Sequence, residues 1–82
     1  MAISGLVVTM DDAGVASVLA ALRADPRITL GPPAGVRQPV VIETAGPAED
    51  DAVWAWLRSI PGVRFVDVAY VHFDQGEEHD HG

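Results

Sequence analysis

This sequence predicts an α+β fold, a single antiparallel sheet of four strands with two helices on one side. Three observations carry the prediction. Short β-branched stretches alternate with stretches of helical periodicity in the order strand, helix, strand, strand, helix, strand. Proline and glycine mark the breaks between them, at Asp25-Pro26, Gly31-Pro32-Pro33, Gly46-Pro47 and Pro61-Gly62. The chain has 82 residues and no internal repeat, enough for one domain and one modest core.

The elements follow in order. "ISGLVVTM", Ile3 to Met10, is a strand halted by Asp11-Asp12, and either aspartate is placed to cap a following helix. From Ala13 to Ala24, Val15, Val18, Leu19 and Leu22 recur at helical spacing, and Pro26 ends the helix near Asp25. "RITL", Arg27 to Leu30, is a brief strand. Gly31 to Pro39 is a connection dense in turn formers, and Val40 to Thr44 is the third strand. After the Gly46-Pro47 break, Glu49, Asp50 and Asp51 sit in a first helical turn, where the helix dipole favours anions. Val53, Trp56, Leu57 and Ile60 share one side of that helix with Trp54 on its margin, so Trp56 is expected in the core and Trp54 half exposed. Val63 to Phe73 is the fourth strand. Residues 1–73 form the domain, and 74–82 are an acidic, histidine-containing tail expected to be disordered.

Right-handed crossovers for the two β-α-β units interleave the strands in the order 4-1-3-2. This is the ferredoxin-like split β-α-β arrangement, with both helices on one face. The other face is then bare, and strand period with the positions of the charges says what it shows. Asp67 turns outward, which sends Val66, Val68 and Tyr70 inward and Phe65, Ala69 and Val71 outward. Glu43 turns Val41 outward and leaves Val40 and Ile42 inside; in the first strand Leu6 and Val8 face in, and Ile3, Gly5 and Val7 face out. The result is an apolar patch set with carboxylates, a surface of the kind that binds a partner or a second copy of the chain.

Charge narrows the partner. The formal net charge is −7, with five arginines and no lysine. Phosphate binding needs basic patches, so nucleic acid is excluded as a partner, whereas a cationic partner is drawn in. Without cysteine the chain has no disulfide and no thiol chemistry, consistent with a reducing cytoplasm. It has no apolar run long enough for a membrane span.

Catalytic readings fail on the same residues. Asp11-Asp12 and Asp50-Asp51 are explained by helix capping, "GPPAGV" lacks the lysine of a phosphate loop, and no serine, histidine and acid set stands out. His79 and His81 flank Asp80 in the tail, but nothing fixes them as a metal site; His72 is a polar residue at a strand end. No cofactor, metal or catalytic residue is expected, and the chain is read as a non-enzyme.

"ISGLVV", "ADPRITL" and "IPGVRFVDVAYVHFDQGEE" resemble the NapD-type chaperones of periplasmic nitrate reductase over nearly the whole chain. Leu6, Val7 and Val8 follow a small residue, "PGV" precedes the fourth strand, and Tyr70 is kept, though Val71 separates it from His72 where the family has the two adjacent. The resemblance implies a cytoplasmic protein that binds the twin-arginine signal peptide of the nitrate reductase catalytic subunit and delays its export until the cofactor is inserted. The peptide's basic start and apolar middle complement Val7, Val41, Glu43, Phe65, Asp67, Ala69 and Val71, the expected binding residues. The alternative is a dimeric ferredoxin-like regulatory module that binds a small effector; a homodimer is open in either case.

Overall fold

A computed structural model describes residues 1–73, so the reading of residues 74–82 as a tail, with its histidines, lies outside the described residues. The chain runs β1 (Ala2–Met10), a short 3-10 turn (Asp12–Gly14), α1 (Val15–Arg23), β2 (Ile28–Leu30), β3 (Arg37–Thr44), α2 (Pro47–Ser59) and β4 (Val63–Phe73). The strands form one antiparallel sheet in the order β2-β3-β1-β4, the ferredoxin-like topology expected.

Strand β1 sets the phase of the sheet. Its even residues, Ala2, Ser4, Leu6, Val8 and Met10, are all buried beneath the helices, while Ile3, Val7 and Thr9 are only partly covered. Directly paired residues share a face. Val40 opposite Leu6 and Ile42 opposite Ser4 are therefore on the helix side, and both are buried. They close the core with Val18 and Leu22 of α1 and Val53, Leu57 and Ile60 from α2 and its end.

Strand β3 begins three residues earlier than the apolar run Val40–Thr44, passing through Pro39. The Pro39 carbonyl accepts a bond from the Gly31 N–H on the β2 side. A residue's nitrogen and carbonyl point to the same edge, so the missing N–H falls where β2 has already ended and the ladder to β1 is spared. Gln38, read as a loop residue, is thereby buried on the helix side, and its amide donates to the Gly31 and Pro39 carbonyls at 2.7 Å each.

The helix starts differ from expectation. Asp11 makes no side-chain cap, and its carboxylate instead lies 3.6 Å from Arg64. Nor does a side chain cap α2; Glu49 in its first turn reaches back to accept from the Ala45 N–H, ahead of the helix, at 2.7 Å. Asp50 is buried, not solvated, with the Thr44 hydroxyl 3.2 Å from its Oδ1. Gly62, at φ 99°, turns the chain from α2 into β4 and packs on Gly14, where an added Cβ would come within 2.8 Å of the Gly62 Cα.

Of the two tryptophans, Trp54 is half-buried as expected and Trp56 is not in the core. Both flank the buried stripe Asp50, Val53, Leu57 and Ile60, on opposite margins. Trp54 packs on the core with its indole N–H 3.4 Å from the Ser4 hydroxyl, whereas Trp56, expected inside, is 36% exposed.

The largest departure is in β4. Between Leu6, paired with Val68, and Gly5, paired with Tyr70, β4 has one residue too many, Ala69; Arg64 is a second extra residue between Val63 and Phe65. Each is a bulge that resets the alternation and disrupts the outer edge of this edge strand.

Candidate functional site: the open face of the sheet

The two helices cover only the side that carries the even residues of β1. The opposite side is arranged in four rows across the strands. Glu43, Ile3 and His72 make the first. Thr29, Val41, Gly5 and Tyr70 make the second, Pro39, Val7 and Asp67 the third, and Arg37, Thr9 and Phe65 the fourth.

Of the expected site residues, Val7, Val41, Glu43, Phe65 and Asp67 lie on this face together. Phe65 is 52% exposed and Glu43 is also exposed. Ala69 has no partner on β1 because it is the bulge residue. Val71 is a correction: it pairs with Ser4, which faces α2, so it stands on the helix side. Tyr70 is the reverse correction, an inward expectation that the structure turns outward.

Sequence reasoning thus missed Tyr70, His72, Arg37 and Thr9 as members of the face. The ring of Tyr70 lies over Gly5, where a Cβ would be 2.6 Å from the ring Cζ and 2.7 Å from Cδ2. Only glycine leaves room for the ring to lie down on the strand. A glycine inside a strand marks a bulge or a close approach, and Gly5 was that signal.

A second concavity lies on the helix side, a groove of about 600 Å³ lined by Ala21, Ala24, Pro26 and Trp56 with Asp25, Arg27 and Glu49. Its charges are engaged with one another. Arg27 donates to Asp25 Oδ2 at 2.7 Å and to Glu49 Oε2 at 2.9 Å, and Asp25 Oδ1 also accepts the Arg27 backbone N–H. The Arg27 guanidinium holds the Asp25 carboxyl below its usual range. The Ala45 N–H, then Arg27, does the same for Glu49. This cluster joins the turn before β2 to the first turn of α2 and is a brace, each of its charges paired within it. Among the described residues no group of three or more histidine, cysteine, aspartate or glutamate side chains is placed to hold a metal ion. Among them, too, no helix is long and apolar enough to cross a membrane.

The fold is that of two solved structures. The chain matches the solution structure of the Tat proofreading chaperone protein NapD of E. coli with a TM-score of 0.76 and 19% identity, covering 94% of this chain and 83% of that one. It matches the crystal structure of a hypothetical protein from Pyrococcus horikoshii with a TM-score of 0.80 and 15% identity, covering 99% of this chain and 100% of that one. At these identities the likeness is one of fold. No family model and no curated protein matches the sequence.

Proposed function

We propose that this chain is a peptide-binding chaperone whose open sheet face takes a twin-arginine signal peptide, that of the catalytic subunit of a nitrate reductase, and that it acts in the cytoplasm without catalysing a reaction. The observation that carries the reading is a sheet face left uncovered by the chain's own helices, on which Val7, Val41 and Phe65 lie beside Glu43 and Asp67. Likeness of fold to a Tat proofreading chaperone supports it. Apolar contact would supply the affinity at ~25 cal/mol per Å², offset by ~2 to 5 kcal/mol for ordering the peptide. The carboxylates would select the cationic end.

The test is titration of a fluorescently labelled twin-arginine signal peptide against the purified chain. Reversing Glu43 and Asp67 to lysine is expected to weaken binding in a salt-dependent way and to leave the thermal midpoint nearly unchanged. A tight dimer that ignores the peptide would instead favour the regulatory module that binds a small effector.

A further inference from the structure

Resting on the reading of this face as a peptide site, we infer that Tyr70, with Glu43 and Asp67 on either side of it, forms the subsite that reads an adjacent pair of arginines and distinguishes them from lysines. Tyr70 is 51% exposed and its ring lies over Gly5. Gly5 pairs with Val41 on one neighbour and Tyr70 on the other. Glu43 is two residues beyond Val41, which makes it a diagonal neighbour of Gly5 at ~7 to 8 Å between Cα atoms. Asp67 pairs with Val7, one row further along β1, and so flanks Gly5 on the opposite diagonal at a similar distance. An aromatic plane therefore sits between two carboxylates on the same face.

That arrangement suits guanidinium more than ammonium. A guanidinium is planar, stacks on a ring, and offers a fork of donors to a carboxylate at its rim, whereas a lysine head is a compact, strongly hydrated point charge. Two consecutive arginines have side chains long enough to reach one carboxylate each with the ring between them. Neither carboxylate has an ion-pair partner among the described residues. Arg37 stands in the fourth row, beyond Val7, and its charge opposes a basic segment there, so the apolar part of the peptide lies toward Phe65.

The experiment compares three versions of one twin-arginine signal peptide, carrying Arg-Arg, Lys-Lys or Ala-Ala at the pair, against the parent chain, Tyr70→Phe and Tyr70→Leu, each first shown to be folded by circular dichroism. The parent and Tyr70→Phe are expected to prefer Arg-Arg over Lys-Lys by about tenfold. Tyr70→Leu is expected to bring the two within about twofold while its affinity for Ala-Ala stays near that of the parent. An unchanged preference in Tyr70→Leu, or no preference in the parent, overturns the inference and leaves peptide binding intact. Failure of the parent to bind any of the three overturns the proposed function itself.

Discussion

Tyr70 lies on Gly5: the ring occupies the space that a Cβ at residue 5 would fill, on the side of the sheet away from the helices. The contact ties the edge strand to its neighbour across the bulge at Ala69. It also turns an aromatic side chain from the core to the open face.

Gly5→Ala should therefore displace the ring and destabilise the domain by about 1 kcal/mol. The backbone at Gly5 is not in the left-handed region, so alanine itself is tolerated there. With Tyr70 already replaced by alanine, the same change should be neutral or slightly stabilising, because alanine restricts the unfolded chain. Urea unfolding of the four proteins in a double-mutant cycle should yield a coupling of about 1 kcal/mol, and strictly additive effects would refute the contact.

The bulge also predicts which neighbours matter for binding. Val41→Lys places a cation in the middle of the open face and should reduce affinity for a twin-arginine peptide at least tenfold. Val71→Lys, one residue from Tyr70 but on the helix side, should change it less than about twofold. Equal losses from the two would mean that the alternation runs unbroken through Ala69.

Why β4 was misread while β1 was not comes down to where the information sits. In β1 every second residue is buried under a helix, so alternation, core and phase agree. In β4 the period was carried straight through Val68, Ala69 and Tyr70, and nothing in those three residues announces an inserted one. The mark lies in a different strand, at Gly5. Trp56 departs for a related reason. A helical wheel built on Val53, Leu57 and Ile60 sets Trp56 nearer the apolar side than Trp54, and neighbours from elsewhere override it: the burial of Asp50 shifts the stripe toward Trp54, whose indole reaches Ser4, while Trp56 borders the Arg27 cluster. Element order, sheet order and the outward set Val7, Val41, Glu43, Phe65 and Asp67 were legible because each needs only local period and the sign of a charge. Pro39 hid the start of β3, since a proline reads as a break until the early end of β2 is known.

Depth beneath the helices separates two substitutions that sequence alone places together. Leu6 and Val68 are paired and both face the helix side, yet Leu6 is 2% exposed and Val68 is 46% exposed. Leu6→Asp buries an unpaired charge in the core and should leave the chain unfolded at room temperature. Val68→Asp, on the uncovered part of the edge strand, should fold and cost no more than about 1 kcal/mol. Far-ultraviolet circular dichroism of the two proteins decides it, and an unfolded Val68→Asp would contradict the exposure of the edge.

The Arg27 brace gives the pH dependence of stability. Hydrogen bonds from Arg27 lower the Asp25 pKa, and the Ala45 N–H followed by Arg27 lowers that of Glu49. Both folded values lie beneath the ordinary 3.8 and 4.5, so their contribution is complete above that range and is lost as pH falls through the depressed values, below about pH 4. Arg27→Leu should lower the thermal midpoint by a few degrees at about pH 7, and its deficit against the parent should narrow as pH is taken down to about 3. The variant should itself keep part of the acid dependence, because the Ala45 N–H still binds Glu49 and the backbone N–H of residue 27 still binds Asp25. A deficit that stays constant from about pH 7 to 3 would show that Arg27 acts through the packing of its side chain in the groove instead of through its charge.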